Sequence, residues 1–266
     1  MGRDPRVNYL AHALPFLDRP YFVAGTAVPD WLAVADRPVR VRAKHAAPLE
    51  HADDPRLAAV AGGVLQHLRD DRRFHETRAF AETALELAAV VRRALGEEDR
   101  CQVPGVRCQA AVGRALGEED RCQVPGVRCQ SAAGAATAGT IPFFFLGHLL
   151  VEVLLDAELA AEDTARLAAY ERALAAVEPG VVQDAVNRMA VRPTVRLAPM
   201  IGLFCRERIL RDYLEDAKLW VRLNQVLRRV GLDRLPDDAA AVLPIARQVV
   251  RSRRRELLAG IPAAPG

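Results

Sequence analysis

The sequence predicts an all-α protein folded as a single helical domain. Three observations carry that expectation. Apolar residues recur at helical spacing along nearly the whole chain. Alanine and leucine, both strong helix formers, dominate the composition. No segment demands a strand. At 266 residues the chain is long enough for one large domain with a sizeable core.

The elements follow in order. Residues 8–17 form a first short helix. A loop rich in Pro and Gly is expected next, through Pro20, Gly25 and Pro29. VRVR at 39–42 alternates but is short, and reads as loop or an isolated extended piece. Pro55 suits the first turn of a long helix running through AVAGGVLQHLRDD, and 76–95 is a strongly amphipathic helix. Pro142 opens an apolar helix, FFFLGHLLVEVLLDAEL. AAEDTARLAAYERALAAV is another helix, and VVQDAVNRMA one more, stopped before Pro193 because the residue preceding a proline is pushed out of the helical region. The segments 198–230 and 238–258 complete a domain spanning 1–258, and 259–266 reads as a disordered tail.

Between the helix ending near Leu95 and the one opening at Pro142 lies an insertion, 96–139. It contains RALGEEDRCQVPGVRCQAAVG at 93–113, followed at 114–134 by a second copy that differs only at Ala110/Ser131 and Val112/Ala133. Structural repeats keep core positions and diverge at the surface. These copies agree even at polar positions, so they read as a recent tandem duplication in a surface loop, where extra length costs little closure entropy. The duplication holds four of the five cysteines. Their C-x6-C spacing is looser than the C-x2-4-C knuckles of tetrahedral zinc sites, so free thiols are expected. Cys205 reads as plain core.

Charge and hydropathy exclude several classes. The 37 basic residues are nearly balanced by 34 acidic ones, and only Lys44 and Lys218 are lysines. No nucleic-acid partner is expected from that balance. The N-terminus, MGRDPRVNYLAHALPFL, lacks the long apolar core of a signal peptide. The most apolar stretch, 141–155, carries His148 and Glu152 and is short for a membrane span. Five cysteines, an odd count, do not suggest a disulfide framework. A cytoplasmic protein is the expectation.

The chemistry-bearing residues are His and carboxylate at helical spacing. His67, Asp71 and His75 stand at i, i+4 and i+8 in HLRDDRRFH. His148, Glu152 and Asp156 repeat that spacing in HLLVEVLLD. The first set, rich in charge, is equally compatible with a solvated face. The second lies among apolar residues, and a buried carboxylate needs a cation, a donor or a metal. Asp156 would cap or pair near a helix end. His12 in NYLAH and Asp30 in VPDW also lie in apolar contexts, whereas His45 and His51 look like loop residues. Two helices presenting His and carboxylate on one face can converge on a divalent ion, with Mn, Zn, Fe or Mg suited to such donors.

At these residues the chain resembles the acyl carrier protein phosphodiesterase family, a helical group related to HD-domain metal-dependent phosphohydrolases. The similar segments are NYLAHA at 8–13, AGTAVPDWL at 24–32, GVLQHLRDD at 63–71, FLGHLLVEVLLD at 145–156 and VNRMAVRP at 186–193. The resemblance implies an HD-like bundle and metal ligands at His12, Asp30, His67, Asp71 and His148. It implies hydrolysis of a phosphoester or phosphodiester, taken literally the release of phosphopantetheine from the serine of an acyl carrier protein. The family's Arg after the helix histidine is replaced here by Leu68, with Arg69 next. His75 and Glu152 have no family counterpart and are candidates for proton relay or for orienting a ligand. Arg188, Arg192 and Arg196 suit phosphate or an acidic carrier, although a solvated basic helix end explains them equally. Other readings are an HD-like hydrolase of nucleotides or phospholipid headgroups, and a non-catalytic helical interaction protein.

Overall fold

The computed structural model describes residues 8–96 and 142–259. Residues 97–134 of the duplicated segment and 260–266 of the expected tail lie outside the described residues, and Ala259, expected in that tail, ends a helix. Among those described there are twelve α-helices and no strand, so the chain is an all-α protein.

The N-terminal half is built around two long helices. A single turn, α1 (Leu10–Ala13), runs on into a 3-10 turn at Leu14–Phe16 and is followed by α2 (Pro20–Ala35). A second helical turn, α3 (Ala43–Ala46), precedes α4 (Pro55–His75) and α5 (Arg78–Ala94). Caps mark the starts. Asp54 accepts the amide N–H of Arg56 ahead of Pro55, and the Thr77 hydroxyl accepts that of Phe80.

The expected loop through Pro20, Gly25 and Pro29 is instead helix α2. Pro20 occupies its first turn, where a missing N–H costs nothing. Pro29 removes one interior hydrogen bond without ending the helix. Gly25 serves packing rather than flexibility. A Cβ there would collide with the Val60 carbonyl oxygen, and one at Gly63 would collide with that of Phe22. The backbones of α2 and α4 therefore touch, which local sequence patterning does not reveal.

The C-terminal half centres on α6 (Phe143–Glu162), in which every residue from 145 to 160 is buried. Gly147 lets it approach α5, since a Cβ at that position would strike the Ala84 carbonyl. Asp163 ends α6 and caps α7 (Thr164–Ala175) by accepting the N–H groups of Ala165 and Arg166. Then come α8 (Pro179–Met189), α9 (Leu197–Glu207), α10 (Ile209–Asp212), α11 (Asp216–Arg229) and α12 (Leu243–Ala259). The segment expected as continuous helix over 198–230 breaks at Arg208, a non-glycine residue in the left-handed region (φ 48°), and again before Asp216.

The VRVR stretch is an isolated extended piece, joined to the end of α8 by one antiparallel bridge between Val41 and Ala190. Arginines of α12 pair with acids across the helices. Arg251 meets Glu158, Arg253 meets Glu82 and Glu86, and Arg254 meets Glu162. Much of the basic content is thus internally balanced. Among the described residues no helix is long and apolar enough to cross a membrane.

Candidate metal centre

The last turn of α4 brings His75 against α6. His75 Nε2 lies 2.9 Å from Glu152 Oε1, and His148 Nε2 lies 3.1 Å from the same oxygen. The two imidazoles stack with centroids 4.6 Å apart and planes 13° from parallel. Phe80 packs edge-on against both rings. One donor atom each from His75, His148 and Glu152 lie within 4.8 Å of one another, so this group could hold a metal ion. Burial pushes the Glu152 carboxyl up, but the charge and hydrogen bonds of His148 and His75 outweigh it and hold the group well below the usual carboxylate range.

The other nitrogen of His75 is also engaged. Nδ1 lies 2.6 Å from the Asp71 carbonyl oxygen and 3.0 Å from Asp71 Oδ1. Histidines that ligate metals characteristically donate their second N–H to a carbonyl or carboxylate, which fixes the tautomer and the ring. His75 has that arrangement, with Nε2 turned toward the three-donor group.

A second, more deeply buried constellation sits nearer the start of the chain. His12, Asp30, His67 and Asp70 are all 2% exposed or less. His67 Nε2 is 3.8 Å from Asp30 Oδ1, His12 Nδ1 is 3.6 Å from Asp70 Oδ2, and the two rings are 4.5 Å apart. Both oxygens of Asp70 accept from Gln66 Nε2, at 2.9 and 2.8 Å. His12 Nδ1 and both polar atoms of the Asn8 side chain are buried with no hydrogen-bond partner, an arrangement that native cores rarely tolerate.

The structure therefore divides the expected ligands between two places. His148 joins His75 and Glu152. His12 and His67 pack ring to ring, with His67 beside Asp30 and His12 beside Asp70, a residue the spacing argument missed. Asp71 links the two, since it contacts His75 and, with Asp30 and His67, lines a small cleft of about 70 Å³. Arg40 lines the same cleft.

Asp156 does cap, but the helix it caps is not its own. Its Oδ2 accepts the N–H groups of Tyr9 (2.5 Å) and Leu10 (2.9 Å), and its Oδ1 accepts that of Ala11 (2.9 Å). These are orphan donors at the start of α1. Burial pushes the Asp156 carboxyl up to about 7, against the downward pull of the three amides.

The candidate phosphate-binding arginines stand apart from this cleft. Arg69 is exposed and donates to Gln66 Oε1. Arg192 lies 3.8 Å from Asp36, Arg188 lines a separate cavity with Asp54, Arg56 and Asp184, and Arg196 precedes α9. His45 and His51 fall in the short helical turns before α4. Cys205 is half-buried on α9 rather than fully in the core. Comparisons of the chain with protein-family models, with curated proteins and with solved structures find no match.

Proposed function

We propose that the protein is a metal-dependent phosphoester hydrolase whose ion is held by His75, His148 and Glu152. The observation that carries this reading is the orientation of His75, with Nδ1 tied to Asp71 and Nε2 turned to the other two donors. Two imidazoles and a carboxylate suit Zn, Mn or Fe better than Mg, which prefers oxygen. His75, His148 and Glu152 would hold the ion, whose chemistry there would be Lewis acidity toward water and a phosphoryl oxygen.

The chain's own residues do the rest. Asp71 holds the His75 ring in place. Asp71 also lines the small cleft with Asp30 and His67, and Arg40 is the guanidinium in its wall, suited to a phosphate oxygen pair. His12 beside Asp70 and His67 beside Asp30 are two buried pairs, and among the described residues only His75, His148 and Glu152 come close enough together to hold an ion. The resemblance of the N-terminal motifs directs the substrate proposal to the phosphodiester on acyl carrier protein, with an HD-like bundle as scaffold.

A second reading has its own observation. Glu152 already receives both imidazoles, so the group is also self-sufficient as a structural knot in a non-catalytic helical protein. Metal analysis after dialysis against Mn or Zn separates the two. Uptake by the wild type and its loss in His75→Ala and His148→Ala, with turnover of bis(p-nitrophenyl) phosphate, is the expected result. No uptake sinks the hydrolase and favours the second reading; uptake without any phosphodiester turnover keeps the ion site and overturns the phosphoester substrate.

A further inference from the structure

Two segments distant in sequence meet on the surface. The extended piece at 39–42 and the loop joining α8 to α9 are held together by the bridge between Val41 and Ala190, and the N–H of Val191 donates to the Arg40 carbonyl at 3.4 Å. Residues 36–44 and 190–196 carry Arg37, Arg40, Arg42, Lys44, Arg192 and Arg196 against a single acid, Asp36. Acids nearly match bases over the whole chain, so positive charge is concentrated here. Asp36 is already engaged by Arg192 and by the Thr194 hydroxyl. Arg37, Arg42, Lys44 and Arg196 are exposed and form no ion pair with the described residues. Arg251, Arg253 and Arg254 of α12 do the opposite, each meeting an acid of a neighbouring helix.

The loop also holds apolar side chains out in water. Its anchor is Thr194, which is buried. The Thr194 N–H donates to Asn187 Oδ1 (2.8 Å), and its carbonyl accepts from Asn187 Nδ2 (3.1 Å). Its hydroxyl donates to Asp36 Oδ2 (2.8 Å) and accepts the N–H of Arg196 (3.1 Å). On either side of this anchor, Val191 and Val195 are 62% and 80% exposed. A scattered exposed valine needs no explanation. Two in one pinned loop, each followed directly by an arginine, mark an interaction surface.

We propose that this face docks on an anionic lipid surface. The arginines and Lys44 meet the headgroups, while Val191 and Val195 enter the boundary between headgroups and acyl chains. A lipid surface fits better than an acidic protein. Valines this exposed stand out from the molecule, whereas the anchors of protein interfaces are aromatic or arginine side chains seated in pockets. Cations spread over two segments also suit a mobile field of headgroups more than one fixed acidic site. The proposal stands independently of phosphoester hydrolysis.

Co-sedimentation of the full chain with vesicles of phosphatidylcholine alone, or of phosphatidylcholine with about 30% phosphatidylserine, tests it. At about 0.1 M salt the anionic vesicles should bind at least about tenfold more tightly than the neutral ones, and about 0.5 M salt should weaken that binding. Arg192→Gln/Arg196→Gln should weaken it about tenfold. Val191→Ser/Val195→Ser, with charge unchanged, should weaken it at least about threefold. Arg172→Gln/Arg255→Gln removes the same charge from exposed positions on α7 and α12 and should leave binding within about twofold. Thermal unfolding checks that each variant is folded. No preference for anionic vesicles, unchanged binding in the valine variant, or equal losses in the two arginine variants would each overturn the proposal. Failure to bind vesicles, with retention on immobilised oligo-glutamate that Arg192→Gln/Arg196→Gln abolishes, would assign the face to an acidic protein instead.

Discussion

Both carboxylate oxygens of Asp156 accept backbone amides, and the consequence is testable at that residue alone. Truncation by Asp156→Ala leaves three buried N–H groups without an acceptor. Each such group costs about 1–3 kcal/mol, so urea unfolding should show a loss of about 3 kcal/mol or more. Asp156→Asn keeps an acceptor oxygen and should lose less; equal losses would refute the capping role. Glu152 makes a pH prediction. Its folded-state pKa lies below the unfolded value near 4.5, so its contribution is present above about pH 4.5 and is lost as pH falls below it. The stability difference between wild type and Glu152→Gln should therefore shrink on acidification through that window. A constant difference from pH 7 to pH 3 would show that Glu152 is not held charged by its histidines. At this scale the sequence was partly legible. The spacing selected His67, Asp71, His75, His148 and Glu152. It did not select Asp70, because His67 shares a helical face with both i+3 and i+4, and only the neighbouring helix decides which acid meets His12.

At the scale of elements, close helix contacts depend on three glycines. Gly25 and Gly63 join α2 to α4, which brings Asp30 to His67; Gly147 joins α6 to α5 beside His148. In Gly147→Ala the added methyl must displace the α5 backbone, and overpacking of this kind costs about 1–3 kcal/mol. Thermal unfolding should register a fall of several degrees, with weaker metal uptake, because His148 moves relative to His75. Gly180, the second residue of α8, has open space where a Cβ would sit. Gly180→Ala should therefore leave stability unchanged or raise it by up to about 1 kcal/mol. Destabilisation by Gly180→Ala as large as that by Gly147→Ala would contradict the packing account. Most helices were readable from periodicity and from the prolines that start or stop them. Helix α2 was not, because its Pro and Gly residues are loop signals locally and become helix-compatible only through packing on α4.

For the whole molecule, deletion of 114–134 removes one copy of the duplication and restores a single-copy connector. Thermal midpoint and metal content are expected to match the full chain; loss of either would show that the second copy matters to the domain. The sequence by itself determined the helical class, most helix starts, the surplus of arginine over lysine and the residues that carry His and carboxylate. These are local properties, governed by residue type and by neighbours three or four positions away. Tertiary structure alone decided that His75 and His148 share Glu152 across a separation of 77 residues, that Asp156 caps the start of α1, and that the VRVR stretch meets the end of α8. Each depends on backbones brought together by burial and glycine contacts between distant helices, and the periodicity of any one helix carries no record of which neighbour its face will meet.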